Sequence, residues 1–240
     1  MTARRVLVTG AARGIGAAIA HSFAAQGDRV AVHRRSPAPL DLPGTGHALV
    51  TGDLTDPSAV RALVDEAAAA LGGGLDVVVN NAAVYVEHKI AETTYEQWQA
   101  AWRATLDVDL LAPANICWCA ARHLPRGGRI INVSSRGAYR GEPDHPAYGA
   151  AKAALNSMTQ SLAKALAPRG IAVSAVAPGF VATDMVADLL ASPEGAVIRA
   201  QSPFDRVAEP SEIADAVLFL ASSEWASGTI LDLTGASYFR

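Results

Sequence analysis

A phenol and an ammonium group fall on one face of a helix in the second half of the chain. The segment "AYGAAKAAL" places Tyr148 four residues before Lys152, in an alanine-rich run that predicts a helix over residues 147–167. Residues four apart lie one turn apart on the same helical face, and only glycine and alanine separate these two. The pair could take part in catalysis, although the same spacing taken alone is more often a solvated surface pair. The rest of the sequence has to decide between these interpretations.

A glycine-rich loop near the N-terminus predicts a phosphate site. The segment "TGAARGIG" (residues 9–16) follows an apolar strand and opens a helix. Glycines at positions 10, 14 and 16 allow a tight turn and let a pyrophosphate approach the helix N-terminus. The free N–H groups and the helix dipole both favour an anion there. In this strand–loop–helix context, the glycines indicate a dinucleotide cofactor.

The end of the second strand favours NADP(H) over NAD(H). NAD sites often carry an acidic residue here that binds the ribose hydroxyls, whereas this chain has "HRRS" at residues 33–36. With Arg13 from the glycine loop nearby, three guanidinium groups could form charge-assisted hydrogen bonds to a 2′-phosphate. The alternative is an exposed basic turn. Asp53, after the third strand, could accept a hydrogen bond from the adenine amino group, or could be an ordinary turn aspartate.

Short β-type runs alternate with helical patterns along the whole chain. This order predicts right-handed βαβ units, and so an α/β fold with a doubly wound parallel sheet and helices on both faces, in a single domain over residues 1–240. A long helix is predicted from about Thr94 to Ala121. Three prolines and three glycines in "SPAPLDLPGTGHALVTG", after Arg35, predict a loop or a single turn in place of a helix.

Composition excludes several classes of protein. The net charge of −3 argues against a nucleic-acid binder or a protein that binds an anionic membrane. No uninterrupted apolar run is long enough for a membrane span, and the N-terminus lacks a signal-peptide pattern, so we expect a soluble cytoplasmic protein. Cys117 and Cys119 are predicted to be reduced, partly buried thiols on different helix faces. The six histidines are scattered, and no metal site is expected.

Together these motifs resemble the short-chain dehydrogenase/reductase family over nearly the whole chain, most closely the 3-oxoacyl-(acyl-carrier-protein) reductases. "TGAARGIG" resembles TGxxxGIG, and "YGAAK" resembles YxxxK. "NNAA" (80–83) resembles NNAG, with Ala83 in place of glycine, and "PGFVATDM" (178–185) resembles the family's PG motif. The interval from Ser135 to Tyr148 is that of the family's catalytic serine and tyrosine, which favours Ser135 over its neighbour Ser134.

The resemblance implies a Rossmann fold and a role for each matching residue. Tyr148 would be the general acid that protonates a carbonyl oxygen. Lys152, with a bound nicotinamide, would lower the tyrosine's pKa and would bind the nicotinamide ribose, and Ser135 would hydrogen-bond the substrate oxygen. The residues expected to bind NADP(H) are Gly10, Arg13, Gly14, Ile15, Gly16, Arg34, Arg35, Ser36, Asp53, Leu54, Asn81, Ala82, Tyr148, Lys152, Pro178, Gly179, Val181 and Thr183.

One departure from the family pattern concerns the fourth catalytic position. The family's asparagine aligns with Asp109 in "WRATLDVDLLAPAN". The family uses this position through its backbone carbonyl, which holds a water in a proton relay to the lysine. Pro113 has no N–H to bond that carbonyl, so we expect the relay to survive with a carboxylate added near Lys152. The alternative is that Asp109 only caps a distortion in the helix.

The expected activity is NADPH-dependent reduction of a ketone to a secondary alcohol, with a 3-oxoacyl thioester or a polyketide-like compound as substrate. The alternatives are oxidation of a sugar, polyol, steroid or dihydrodiol, and a non-catalytic NADP-binding regulator. We expect the pocket to include Val84, Tyr85 and residues 136–140, with Tyr139 and Phe204 as further aromatic candidates, under a lid at about residues 183–206.

Two kinds of protein partner follow from the resemblance. Arg126 and Arg169 fall where carrier-protein reductases contact an acidic acyl carrier protein, or they are simple surface charges. The family's C-terminal segment and its long helices form subunit interfaces, so we expect a homotetramer, with a dimer as the alternative.

Overall fold

In the computed structural model, which describes residues 3–36, 39–184 and 186–239, seven strands pair into one parallel sheet. The strands are β1 (Arg5–Val8), β2 (Arg29–Arg34), β3 (Ala48–Thr51), β4 (Val77–Asn80), β5 (Arg129–Val133), β6 (Ala172–Pro178) and β7 (Ile230–Leu233). Their order across the sheet is β3-β2-β1-β4-β5-β6-β7. The strands after β1 are added first on one side of it, as β2 and β3, and then on the other side, from β4 to β7. This order confirms the predicted doubly wound α/β fold.

Helices connect the strands and cover both faces of the sheet. They are α1 (Gly14–Ala25), α2 (Pro57–Ala70), α3 (Tyr95–Leu106), α4 (Ala112–Ala120), α5 (Gly137–Arg140), α6 (Pro146–Leu166), α7 (Ala187–Ala191), α8 (Pro193–Arg199) and α9 (Pro210–Ser222). The periodicity of 2 along each strand sends successive side chains to opposite faces. In β1, Leu7 packs in the core beneath α2, α4 and α6, while Val6 and Val8 pack in the core beneath α1 and α9.

The predicted long helix is interrupted. A π-helical turn, Asp107–Leu111, lies between α3 and α4, and the Ala112 N–H donates to the Asp107 carbonyl five residues earlier. The predicted long helix from about Thr94 to Ala121 is thus present in its extent, and the π-helical turn divides it into two α-helices. Pro113 has no N–H to offer the preceding turn, and a widened turn is a common response to a gap in the helical hydrogen-bond ladder.

The crossover from β2 to β3 is a loop. The described residues between these strands, 35, 36 and 39–47, contain no helix, as the prolines and glycines predict. His47 stabilises this loop: its Nδ1 accepts from the Val30 N–H at 3.2 Å, and its Nε2 bonds the Pro43 carbonyl oxygen at 2.9 Å. A short loop thus follows β2 at the edge of the sheet, held by His47 and by Arg34, which donates to the Pro39 carbonyl.

A chain of buried polar side chains crosses the middle of the molecule. Asn80 on β4 donates to Asn132 on β5 at 2.8 Å, and Asn132 donates to Thr159 on α6 at 2.8 Å. Cys117 and Cys119 are both free and buried. In the described ranges, no helix is long and apolar enough to cross a membrane, and no group of three or more His, Cys, Asp and Glu side chains is arranged to hold a metal ion.

Candidate active site

A groove of about 470 Å³ opens at the carboxyl ends of the strands, where the strand order reverses between β1 and β4. Ligands of doubly wound sheets bind at this point. Most of the predicted site residues line the groove: Gly10, Arg13, Gly14, Ile15, Gly16, Arg35, Asp53, Leu54, Asn81, Ala82, Ser135, Tyr148, Lys152, Pro178, Gly179, Val181 and Thr183. The structure thus brings residues from the whole chain to one cleft.

The glycine loop is packed too tightly for side chains. Gly10 has a φ of +63°, and a Cβ there would lie 2.7 Å from the Ala82 Cα. A Cβ on Gly16 would lie 2.4 Å from the Asn81 Nδ2. That Asn81 amide donates to the carbonyl oxygens of Thr9 and Gly10 at 2.9 and 3.2 Å, so the end of β4 holds the loop in place.

His33 joins the same loop to the third strand, a role that the sequence does not reveal. Its buried ring accepts a hydrogen bond from the Gly10 N–H at Nδ1 (3.3 Å) and contacts the Gly52 carbonyl oxygen through Nε2 (3.0 Å). Both bonds require the neutral tautomer with the proton on Nε2. Burial lowers the pKa of His33 and favours that neutral form. His33 is therefore a structural support for the loop.

The predicted group of three guanidiniums is only partly assembled. Arg13 and Arg35 line the groove, and Arg13 lies 3.9 Å from Asp184 across it. Arg34 instead donates to the Pro39 carbonyl at 2.9 Å, and neither Arg34 nor Ser36 belongs to the groove lining. Successive side chains of an extended segment point to opposite faces, so Arg34 cannot share the face of its two neighbours.

Asp53 supplies a fixed anionic acceptor at the adenine end. Its Oδ1 accepts hydrogen bonds from the N–H and hydroxyl of Thr55 at 2.9 and 2.8 Å. These bonds lower the pKa of Asp53 and keep the carboxylate ionised. Asp53 can therefore stabilise its own turn and also accept a hydrogen bond from an adenine amino group.

The groove fits a dinucleotide. Glycines with no room for a Cβ form its floor at the start of α1, where backbone N–H groups favour a pyrophosphate. Arg13, Arg35 and Asp53 surround one end, and Tyr148 and Lys152 stand at the other. A nicotinamide dinucleotide held across the switch point would be contacted at both ends by residue types that suit it.

At the other end, Tyr148 and Lys152 project from the first turns of α6 beside the end of β5. Lys152 Nζ lies 5.4 Å from the centre of the Tyr148 ring and donates to the Val133 carbonyl at 3.1 Å. Ser135 is the second residue after β5, and its hydroxyl accepts from the Gly137 N–H at 3.0 Å. Ser134, the alternative to Ser135, donates to the Lys152 carbonyl instead.

Asp109 lies beneath this end of the groove and is fully buried. Its Oδ1 accepts from the Val84 N–H at 2.9 Å, and its Oδ2 lies 3.4 Å from Lys152 Nζ in an ion pair. The π-helical turn carries the carboxylate into this position. The sequence predicts a carboxylate near Lys152, and the structure shows that it also holds the segment after β4. The backbone relay through the Asp109 carbonyl stays a prediction.

The pKa of Tyr148 is raised by this chain's own residues, and the lowering expected from Lys152 together with a bound nicotinamide stays a prediction. Burial raises it most, and the Asp109 carboxylate raises it further, while a hydrogen bond from Ser135 acts in the opposite direction. Lys152 cannot act as an isolated cation, because Asp109 and the Val133 carbonyl already compensate its charge. At neutral pH the Tyr148 phenol therefore carries its proton.

Three further side chains surround Tyr148 on the open side. Tyr85 meets Tyr148 edge-on at 4.9 Å, stacks on His145 at 3.6 Å, and donates to Glu142 at 3.4 Å. Burial raises the pKa of Tyr85. The sequence predicts Tyr85 here but misses Glu142 and His145, which lie between Ser135 and Tyr148, just past the 136–140 stretch that it assigns to the pocket.

The other two aromatic candidates lie outside the groove. Tyr139 stacks on Tyr238 with a centroid separation of 6.4 Å, and Phe204 lines a second cavity and is largely exposed. The sequence around Tyr139 and Phe204 does not show whether their side chains face the groove or a neighbouring surface. Tyr85 is therefore the aromatic side chain of the three that faces Tyr148.

Comparison with known proteins places this groove among nicotinamide-dependent enzymes. A family model described as enoyl-(acyl carrier protein) reductase matches residues 10–235. The chain is 40% identical to cis-4-hydroxycyclohexanecarboxylate dehydrogenase of Sinomonas cyclohexanicum, over 97% of this chain and 95% of that protein. It is 35% identical to the 3-oxoacyl-(acyl-carrier-protein) reductase FabG of Escherichia coli (strain K12), over 97% of this chain and 96% of that one.

A solved structure extends the similarity to three dimensions. The crystal structure of a short chain dehydrogenase from Burkholderia cenocepacia J2315 in complex with NADP superposes with a TM-score of 0.87 and 35% identity. The match covers 98% of this chain and 97% of that one. The described fold and this neighbour therefore agree over essentially their full lengths.

The neutral His33 ring predicts a specific loss of stability in acid. Because burial lowers its pKa in the folded state, its contribution is fully present above the ordinary value of 6.5 and is lost as the pH falls from there through the folded pKa. We expect urea unfolding between pH 7.5 and 5 to show this loss in the wild-type protein and a shallower loss in His33→Gln.

The exposed His21 is the matched control, and His21→Gln should keep the wild-type pH dependence. Burial also lowers the pKa of His145, so part of the acid loss will remain in His33→Gln. Identical slopes for His33→Gln and the wild-type protein would rule out the neutral-ring account.

Proposed function

The chain belongs to the short-chain dehydrogenase/reductase family, a family of nicotinamide-dependent oxidoreductases that act on CH–OH and C=O groups, and we propose that it reduces a ketone with NADPH. The observation that carries this proposal is the placement of Ser135, Tyr148 and Lys152 together at one end of the groove. A carbonyl that accepts hydride needs a proton donor at its oxygen. A phenol whose pKa is raised holds that proton throughout the neutral range.

Each catalytic residue has one task in this reaction. Ser135 donates a hydrogen bond to the carbonyl oxygen and orients it toward Tyr148. Tyr148 gives its proton to the same oxygen as the alcohol forms, and a nicotinamide held in the groove would supply the hydride. Lys152 would bind the nicotinamide ribose, and Asp109 holds the Lys152 ammonium from below at 3.4 Å.

NADP(H) is the cofactor that the charged end of the groove favours. Arg13 and Arg35 can form charge-assisted hydrogen bonds to a 2′-phosphate, and the end of β2 has no carboxylate to bind a free ribose hydroxyl. The remaining proposed contacts are Gly10, Gly14, Ile15, Gly16, Asp53, Leu54, Asn81, Ala82, Pro178, Gly179, Val181 and Thr183. Arg34 and Ser36 are left out of this set because they lie away from the groove.

The relatives suggest two substrate classes. The E. coli relative acts on a 3-oxoacyl carrier-protein thioester by name, and the Sinomonas relative on a cyclic hydroxy acid. The chain is 40% identical to the Sinomonas dehydrogenase and 35% identical to the E. coli reductase, so oxidation of an alcohol is the second candidate reaction. A non-catalytic regulator is disfavoured, because mere binding does not require a phenol, an ammonium and a serine together.

An acyl carrier protein is the less favoured macromolecular partner. Arg126 donates to the Pro168 carbonyl, and Arg169 donates to the Ala121 carbonyl, so both side chains already have backbone partners. Each guanidinium retains further N–H donors, but each is also tied to a backbone carbonyl. We therefore give the small-molecule substrate priority.

We propose a cytoplasmic homotetramer in which the whole chain, 1–240, is one domain. Large apolar side chains are exposed where the family's subunits meet: Leu111 and Trp118 near the π-helical turn and on α4, and Trp225 and Phe239 toward the C-terminus. Burying such side chains between subunits would remove apolar surface from water.

The segment at about residues 183–206, which contains α7 and α8, is the proposed lid.

The first test measures NADPH oxidation at 340 nm with acetoacetyl thioesters, a set of cyclic and linear ketones and the corresponding alcohols with NADP⁺. We expect Tyr148→Phe to lower kcat by about 10²- to 10⁴-fold, because the variant has no proton to donate. Tyr85→Phe, which removes a neighbouring phenol, is the comparison for general disruption of the pocket. Full activity in Tyr148→Phe would overturn the assignment.

Cofactor choice is tested with the two adjacent arginines. Arg35→Ala should raise KM for NADPH by about 10- to 100-fold and leave KM for NADH nearly unchanged, because one or two charge-assisted bonds to the 2′-phosphate are lost. Arg34→Ala removes the same charge one position away and should have little effect. Equal effects of the two substitutions would indicate a general electrostatic attraction with no specific phosphate contact.

The Asp109 carboxylate should set the pH dependence of the reverse reaction. Alcohol oxidation requires deprotonated Tyr148, and Asp109 raises the pKa of Tyr148. Asp109→Asn removes this charge and leaves the Lys152 ammonium uncompensated, so the rise of kcat with pH should move to lower pH.

Asp107→Asn makes the same substitution in the same π-helical turn, without a contact to Lys152 among the described residues. It should keep the wild-type profile. An unchanged rate and profile in Asp109→Asn would mean that this carboxylate has no catalytic role.

A further inference from the structure

Arg136 is a buried arginine whose partners are neutral. Only 4% of the residue is exposed. Its Nη1 donates to the Ser237 hydroxyl and its Nη2 donates to the Gln201 side-chain oxygen, both at 2.7 Å. Within residues 3–36, 39–184 and 186–239, no carboxylate lies within 4.0 Å of the guanidinium. A guanidinium has five N–H donors, so these two bonds leave capacity for another ligand.

Arg136 lies between two cavities. It directly follows Ser135 and lines the groove described above. It also lines a second cavity of about 260 Å³, which is bounded by the Phe180 ring and by side chains of the proposed lid, including Ile198 and Phe204. The guanidinium carbon lies 4.7 Å from the centre of the Phe180 ring. Arg136 thus stands where the catalytic end of the groove meets the space under the lid.

The neighbouring cations are already compensated. Arg206 forms two hydrogen bonds of 2.7 Å with Glu212, and Arg140 lies 3.9 Å from Glu142. Glu142 also attracts Arg136, but its carboxylate is engaged by Arg140 and by the Tyr85 hydroxyl. Burial lowers the pKa of Arg136 to about 10, so it remains charged at neutral pH. A buried charge of this kind is costly unless an anion joins it.

We propose that Arg136 binds a carboxylate of the substrate, so that the enzyme acts on ketones or secondary alcohols that carry a carboxylate elsewhere in the molecule. The planar guanidinium matches the two oxygens of a carboxylate. Gln201, on the lid side, orients the guanidinium, and Phe180 covers one of its faces. This inference rests on the proposed ketone reductase function and narrows its substrate from thioesters to free acids.

The test compares an acid with its neutral ester. Two pairs of probes are used with NADPH: 4-oxocyclohexanecarboxylate with its methyl ester, and 4-oxopentanoate with its methyl ester. The wild-type protein should prefer the acid of at least one pair in kcat/KM by about 10- to 100-fold, the contribution expected of a charge-assisted carboxylate contact. Reduction of the esters with no preference for either acid would overturn the inference and leave the reductase function intact.

Two variants attribute the preference to Arg136. Arg136→Gln removes the charge and should abolish the preference by lowering kcat/KM for the acid far more than for the ester. Gln201→Glu retains the arginine and places a carboxylate on its Nη2, where it should compete with the substrate's carboxylate in the same way. Arg199→Gln removes a charge from the lid outside both cavities and should keep the acid preference. Equal losses on acid and ester in both Arg136→Gln and Gln201→Glu would assign Arg136 a purely structural role.

A binding measurement separates this inference from the reaction itself. Calorimetric titration with cyclohexanecarboxylate, which has no ketone to reduce, should show binding to the wild-type protein and about 10- to 100-fold weaker binding to Gln201→Glu. Cyclohexanecarboxamide, the neutral analogue, should not discriminate between them. Carboxylate binding without turnover of any ketone would contradict the reductase function but support the anion site. No discrimination between carboxylate and carboxamide would overturn the site.

Discussion

The buried ammonium of Lys152 is the group on which the catalytic end of the molecule depends. It is held between the Val133 carbonyl on β5, at 3.1 Å, and the Asp109 carboxylate in the π-helical turn, at 3.4 Å. An ammonium in this position would be destabilising without both partners. Lys152, Val133 and Asp109 lie on three different elements, so the two contacts fix α6 against the sheet. They thereby fix Tyr148, one turn earlier, beside Ser135. The same charge balance explains why Lys152 does not make the phenol acidic.

The opposite end of the groove is held by neutral hydrogen bonds. The amide of Asn81 and the ring of His33 both bond backbone groups at the glycine loop, and neither residue carries a charge that would compete for a phosphate. These bonds hold the loop in place beside the groove, while Arg13 and Arg35 provide the cationic rim. Fixed neutral supports beneath a charged rim suit an anion that has to enter and leave in each catalytic cycle.

The sequence alone predicts the order of strands and helices, because βαβ connections have one favoured hand and the apolar runs are clear. It also predicts most of the residues gathered in the groove, since all of them except Tyr148 and Lys152 follow a strand or form its end. It does not separate Arg34 from Arg35, although the pleat of a strand could have done so. The pKa of Tyr148 is raised first by burial and then by a carboxylate 39 positions earlier in the chain, and local spacing carries no information about either. Glu142 and His145 lie in an irregular segment without a periodic pattern.

The widened turn between α3 and α4 has a consequence for chain length. Each helical residue adds about 100° of rotation, so one residue more or fewer between Asp107 and Leu111 would rotate α4 by that angle relative to α3. Ile116 and Cys117, which pack against the sheet, would turn toward solvent, or Asp109 would leave Lys152. Insertions and deletions in this turn would be selected against, so its length should vary less among descendants of this gene than the type of its exposed side chain, Leu111.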